Sequence, residues 1–299
     1  MNNNPLVSII VNCFNSEKYL HQTLQSIIDQ TYQNWEVILW DNNSTDNSKN
    51  IVLSFKEKRF KYFFSKERTT LYKARNQAIQ VSKGEIIAFL DTDDWWKKDK
   101  IEKQIIFFKD EKVGLVYSNC FLYYENDKQT KLFKKKKLNS GYITKSLLES
   151  YDVGILTILI RRSAYDDVSG FSNNYNIIGD FDFVIRLSCE WKFVSIQEPL
   201  AYYRIHSHNF SSLKSSLEID ELQCWITDKN ISEKDKLKSH LYFVKNRILY
   251  LKIIECIKER KLLKAIKNIF SYPGGLMKIK LLSLILLPNK ILNKIKKFR

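Results

Sequence analysis

Through the first hundred positions, short apolar runs alternate with apolar residues spaced three or four apart. VSIIVNCF, beginning at Val7, is a largely apolar run of strand length, the pattern of a strand buried on both faces. Ser16 then occupies an N-cap position ahead of Leu20, Leu24, Ile27 and Ile28, whose spacing predicts a helix. WEVILW predicts a second strand ending at Asp41, NNSTDNS a turn and cap, and Ile51, Val52 and Phe55 a second helical face. KYFFS reads as a short strand, TLYKARNQAIQVS as a helix with Gly84 as its C-cap, and EIIAFL as another strand. This alternation predicts an α/β fold: a mostly parallel sheet with helices on both faces.

Ligands on such sheets bind outside the carboxyl ends of the strands. Asn12, Asp41 and Asp91 each fall at or just after such an end, so the pattern directs all three to one crevice. In the stretch GEIIAFLDTDDWW, Asp91, Asp93 and Asp94 crowd three carboxylates into four positions. Like charges this close need a cation, a proton or strong solvation. Neither G-x-G-x-x-G nor G-x-x-x-x-G-K-[ST] occurs, so the usual glycine-rich phosphate cradles are missing. A divalent cation, Mn²⁺ or Mg²⁺, bridging carboxylates to a diphosphate would satisfy the cluster instead.

Composition narrows the class. With 299 residues, 44% of them hydrophobic, the chain can bury a sizeable core. Cys13, Cys120, Cys189, Cys224 and Cys256 form no C-x-x-C pair, which argues against a zinc knuckle, a redox motif or a disulfide framework. The N-terminus reads as neither a signal peptide nor a spanning helix, so a cytoplasmic protein is expected. Of the net charge of +16, eleven Lys or Arg lie between Arg260 and Arg299, where no acid occurs. A basic tail mixed with Leu, Ile and Phe points to an anionic membrane surface, on the inner face of the cell membrane. No nucleic-acid partner is expected, because the charge is confined to the tail and no such motif appears.

The segments VSIIVNCFN, DNNSTDNS, ARNQAI, FLDTDDWW, GFSNNYNIIGDFDFVIRL and EPLAYYRIHSHN come in an order and spacing that resembles the inverting family-2 glycosyltransferases with the A-type fold. The resemblance covers roughly residues 5 to 212. It implies a Rossmann-like, mixed but mostly parallel sheet flanked by helices, as a catalytic domain over 1–212; residues 213–299 read from their own periodicity and charge as a helical, basic extension. It further implies a nucleotide diphosphate sugar donor, UDP-linked first among the choices, and a glycan or lipid-linked glycan acceptor. By the same resemblance Asp41 contacts the nucleotide base and Arg75 lies near base and diphosphate. Asp91 and Asp93 frame a D-x-D motif, with Asp93 the first metal candidate and Asp94 the next. Asn12, Phe14 and Asn15 shape the nucleotide pocket, and His206 supplies a metal ligand or diphosphate contact, with Arg204 assisting the phosphate charge. Asp180 matches the catalytic base. Where the family commonly has Glu-Asp this chain has Gly179-Asp180, which removes one carboxylate, keeps the base and puts acceptor contacts in question. The alternative is a non-catalytic, membrane-associated nucleotide-sugar binder or assembly protein.

Arg161 and Arg162 read either as diphosphate or acceptor contacts or as edge-strand surface residues, and His208 as a ligand or a surface histidine. Beyond residue 212, Leu241, Val244, Ile248, Leu251, Ile254 and Ile257 predict a helical run ending near Pro273. The apolar and basic segment after it, broken by Pro288, reads as an amphipathic surface anchor. The competing reading is a helical subdomain that packs on the catalytic domain or on a second copy, a homodimer.

Overall fold

The first apolar run becomes β1 (Val7–Cys13), every residue of it buried or half-buried. The structure, a computed structural model, describes residues 4–207 and 215–287. It divides into two compact units, Met1–His206 and Ser207–Arg299.

In the first unit β1 is followed by α1 (Glu17–Ile28), β2 (Trp35–Asp41), α2 (Ser48–Ser54), β3 (Phe60–Phe64), α3 (Leu71–Gln80) and β4 (Ile86–Phe89). Then come β5 (Trp95–Trp96), α4 (Lys100–Ile105), β6 (Val113–Tyr124), β7 (Gln129–Leu132), α5 (Thr144–Glu149), β8 (Leu159–Arg161), α6 (Arg162–Asp167), α7 (Gly179–Ser188) and β9 (Lys192–Ile205). The strands form one sheet in the order β3-β2-β1-β4-β8-β6-β9-β5, with β7 paired to β6. β3, β2, β1 and β4 are parallel, and so is the long β6–β9 ladder; the contacts of β8, β5 and β7 are antiparallel. The sheet is thus mixed and mostly parallel by ladder length. Val7, Ile9, Val11, Val37, Leu39, Ile86 and Ala88 pack with Leu20, Leu24 and Ile27 of α1 in a continuous core, and this apolar burial is the main stabilising term.

Three local readings are corrected. Ser16 sits at the N-cap position of α1 but makes no side-chain cap. The Glu17 amide instead donates to Asp46 Oδ2 at 2.9 Å, a cap supplied from the loop before α2. Gly84 is not the cap of α3, which ends at Gln80 with Val81 in that role. A Cβ on Gly84 would lie 2.5 Å from the Ser8 amide nitrogen and 2.7 Å from the Leu6 carbonyl, so glycine is required there by the close approach of β1. Arg161 and Arg162 belong to neither expected class. β8 lies inside the sheet, and Arg161 pairs with Ile86 at the start of β4, the end away from the crevice. Arg161 donates to the Val113 and Phe108 carbonyls, and Arg162 to the Gly84 carbonyl.

The second unit contains α8 (Ser215–Thr227), α9 (Lys229–Ser232), α10 (Asp235–Lys238), α11 (Leu241–Lys258), α12 (Leu262–Ser271) and α13 (Gly275–Ile285). The helical run predicted to reach Pro273 is two helices, parted at Arg260, whose φ is +57°. Ile253, Cys256 and Ile257 of α11 pack with Ala265 and Ile269 of α12 and with Leu281 and Leu284 of α13. No helix among the described residues is long and apolar enough to cross a membrane. His208 and the break at Pro288 lie outside the described residues.

Candidate active site

Because β1, β2 and β4 are parallel neighbours, their carboxyl ends open at one edge of the sheet, and the residues read from the sequence collect there. Asp41 closes β2 beside Cys13 of β1. It is buried, and its two oxygens accept the Ser44 amide at 2.8 Å and the Tyr62 hydroxyl at 2.6 Å. A carboxylate has about four acceptor sites, so one more N–H donor can be received. The Asn12 Nδ2 group is shielded from solvent and has no hydrogen-bond partner among the described residues. Asn15, at φ +48°, accepts the Thr45 amide at 2.9 Å and so stitches the turn after β1 to the turn after β2. The tolerance of asparagine for positive φ explains its use at this position.

Phe14 is exposed at the same edge, and the Arg68 guanidinium lies 3.7 Å from its ring centroid. Arg68 was not singled out by motif. The only signal available was its place in the loop beyond the carboxyl end of β3, on the same edge as the other ends.

The D-x-D turn is held from three sides. Thr23 Oγ1 of α1 lies 2.9 Å from the Thr92 carbonyl and 2.8 Å from that of Asp94, and Thr92 Oγ1 donates to Ser16 Oγ at 2.7 Å. From β9, Arg204 Nε donates to the Asp93 carbonyl at 2.8 Å while the Arg204 amide donates to Asp94 Oδ1, also at 2.8 Å. The Arg204 guanidinium stands 4.4 Å from the Tyr19 ring and 4.6 Å from Trp95, and is buried. It clamps the turn, whereas the sequence assigned it to phosphate. Asp94, counted as a metal candidate from sequence, is 1% exposed. Burial, then the Asp93 and Asp91 carboxylates, push its pKa well up, and its bond to β9 gives it a tethering part.

Asp93 and His206 do meet. Asp93 Oδ2 lies 3.0 Å from His206 Nε2 across 113 residues of sequence. Among the described residues no group of three or more His, Cys, Asp or Glu is arranged to hold a metal. Asp93 and His206 together offer one oxygen and one nitrogen donor, a set that suits a divalent ion completed by diphosphate oxygens.

On the other side of the crevice, Arg75 of α3 is 1% exposed. Its Nη2 donates to Asp91 Oδ1 at 2.8 Å and its Nη1 to Asp180 Oδ1 at 2.6 Å. Asp180 stands in the first turn of α7. Burial raises its pKa, Arg75 opposes that by attraction, and Asp91 adds to it by repulsion. The neighbouring Asp182 is buried and ion-paired with Arg186 at 2.7 Å.

Residues 8–169 match the model of the family described as Glycosyl transferase family 2. The chain is 30% identical over 272 residues to the UDP-Glc:alpha-D-GlcNAc-diphosphoundecaprenol beta-1,3-glucosyltransferase WfaP of Escherichia coli, covering 89% of this chain and 97% of that one. The fold is similar to that of S. aureus TarS 1-349 in complex with UDP-GlcNAc, with TM-score 0.62 and 16% identity over 88% of each chain. It is also similar to the mannosyltransferase PcManGT from Pyrobaculum calidifontis in complex with GDP-Man and Mn2+, with TM-score 0.65 and 16% identity over 99% of this chain and 85% of that one. These structural likenesses carry the fold; the family match spans more than half of the sequence. The chain therefore belongs to glycosyl transferase family 2 and is a glycosyltransferase with the A-type fold.

Proposed function

We propose that the protein transfers a sugar, with inversion, from a UDP-sugar to a hydroxyl of a lipid-linked glycan, with Asp180 as the base. The observation that carries this reading is the Arg75 fork, which sets Asp91 of the D-x-D motif and Asp180 against a single guanidinium. Inversion needs a base that takes the acceptor proton on one side of the sugar and stabilisation of the leaving diphosphate on the other. Asp180 is the carboxylate on the acceptor side, and its raised pKa brings it closer to the range in which a carboxylate accepts and releases a proton efficiently. Asp41 and Asn12 receive the nucleotide base, Asp91 the ribose, and the exposed Arg68 a diphosphate charge. Asp93 and His206 would hold Mn²⁺ or Mg²⁺, which supplies Lewis-acid neutralisation of the departing diphosphate. UDP ranks first because a carboxylate at Asp41 accepts the uracil ring N–H, and because WfaP bears a UDP-glucose donor and a diphosphoundecaprenol acceptor in its name.

A lipid-linked acceptor calls for contact with a membrane, and α12 and α13 supply suitable surface. Leu263 of α12, Leu276 of α13 and Leu286 just after it are more than four-fifths exposed, while Ala265, Ile269, Leu281 and Leu284 are buried. Lys264, Lys267, Lys278 and Lys280 share these helices, and no acid occurs after Glu259. Apolar side chains beside lysines are the pattern of a helix lying on anionic lipid, and each such charge near the surface contributes about 1 kcal/mol.

Calorimetric titration of UDP, GDP and dTDP with Mn²⁺ tests the site. UDP binding that needs metal, is lost in Asp93→Ala and survives in Asp180→Asn, while Asp180→Asn has no turnover, is the expected result. Failure of all three nucleotides to bind would overturn the proposal.

A further inference from the structure

Gly179, which stands where the family pattern has an acid, lies against a side chain of α3. A Cβ built on Gly179 would lie 2.4 Å from Cε2 of Tyr72 and 2.5 Å from its Cδ2 and Cζ. Gly179 is the first residue of α7, a regular helical position that any L-residue can adopt, so the backbone does not demand glycine. The demand is steric: the Tyr72 ring fills the volume into which a side chain at 179 would project. That ring cannot swing aside cheaply. Tyr72 is 3% exposed and stacks on Phe171 with centroids 5.5 Å apart, and Phe171 lies 4.4 Å from Phe183 of α7. Tyr72 and Arg75 are one turn apart on α3, so the same helix face touches both residues at the start of α7, Tyr72 against Gly179 and Arg75 against Asp180.

We infer that Tyr72 and Gly179 form a matched pair that positions Asp180. The aromatic ring fixes how closely the first turn of α7 approaches α3, and that approach seats the Asp180 carboxylate on the Arg75 guanidinium. Tyr72 is a positioning residue: it is almost fully buried and acts through Asp180. The second carboxylate of the family pattern is replaced here by an apolar contact, and among the described residues Arg75 bonds to Asp180 and Asp91. The inference rests on the reading of Asp180 as the base.

The test measures UDP release from UDP-glucose and from UDP-GlcNAc with Mn²⁺, and UDP affinity by calorimetry, in the full chain. Gly179→Ala pushes α7 away from α3, and since a displacement of about 1 Å can lower turnover on the order of 100-fold, kcat should fall to that extent with UDP affinity nearly unchanged. Adding Tyr72→Ala to Gly179→Ala should restore about tenfold of the loss, a coupling expected only of residues in contact. Tyr72→Phe keeps the ring and should retain turnover within about threefold, because the spacing of α7 from α3 is set by the ring, the hydroxyl adding a 3.3 Å bond to the Ile177 carbonyl and an interaction with the Asp180 amide. Should Gly179→Ala not fold, Tyr72→Ala alone decides, with a lower kcat at unchanged UDP affinity expected. Wild-type kcat in folded Gly179→Ala or in Tyr72→Ala, or no recovery in the double variant, overturns the pairing. Asp180→Asn is assayed in parallel. Turnover surviving there overturns the base reading and this inference with it, whereas a dead Asp180→Asn beside a fully active Gly179→Ala overturns the inference alone.

Discussion

Arg75→Met removes the guanidinium that joins the two sides of the crevice while keeping an apolar stem of similar length. The native side chain is 1% exposed and its two bonds, 2.8 and 2.6 Å long, both end on carboxylates. A hydrogen bond to a charged group contributes about 1.5–3 kcal/mol, so two such bonds set an upper bound of about 6 kcal/mol. Removing one partner of a buried ion pair costs about 3–5 kcal/mol. The Asp91 and Asp180 side chains keep 33% and 29% of their surface exposed and rehydrate in part, which places the loss near the lower figure, about 3 kcal/mol. For a unit of this size each kcal/mol lowers the melting temperature by about 2–4 °C, so the catalytic unit should melt about 6–12 °C lower. The pH profile should move as well. Arg75 holds the Asp180 pKa down against burial, so without it the carboxyl keeps its proton to higher pH and the acidic limb of kcat/KM shifts upward. Differential scanning calorimetry and a pH series of turnover are the assays. A melting temperature within 2 °C of the wild type together with an unmoved limb would refute the reasoning.

Two further outcomes follow from buried and exposed extremes. Lys100 is fully buried, lies 4.2 Å over the Trp96 ring and has no hydrogen-bond partner for Nζ among the described residues. Burial drives its pKa well below the ordinary lysine value, so the unfolded chain binds the extra proton and stability rises as pH climbs towards 10.5. Lys100→Met should abolish that rise and stabilise the fold at neutral pH by about 1–3 kcal/mol, read by thermal melting; a lower melting temperature would contradict the account. Leu276→Ser with Leu286→Ser should weaken flotation with phosphatidylglycerol vesicles several-fold while leaving UDP binding intact. Equal flotation of variant and wild type would remove the membrane role assigned to these helices.

The elements that local periodicity encodes were legible. β1 to β4, with the helices between them, follow from apolar runs and spacing, and the crevice at their carboxyl ends follows from the parallel rule. What was not legible depends on partners remote in sequence. Asp46 caps α1 at a separation of 29 residues, and Gly84 answers to the backbone of β1 rather than to the helix before it. Arg204 reads from sequence as an aid to the phosphate charge, yet its place among Tyr19, Trp95 and Tyr123 makes it part of the scaffold. Arg161 and Arg162 looked exposed because nothing in a three-residue strand tells that it inserts between β4 and β6. Gly179 could be seen as a departure from pattern, but not what filled the vacated space, since Tyr72 lies more than a hundred residues earlier.

The corner formed by Asp93 and His206 also has an order of manufacture. Asn12, Asp41, Asp91, Asp93 and Asp94 are all translated in the first third of the chain, whereas His206 is the last residue of the first unit. At about 5–20 residues per second, a ribosome needs on the order of 10 s to travel from one to the other. During that interval the nascent chain holds β1 to β4 and the carboxylates at their ends without the histidine and without the β9 clamp. The contact between Asp93 and His206 is therefore open only to a chain synthesised to the end of β9, so an incomplete chain carries the acidic residues but not the histidine that faces them.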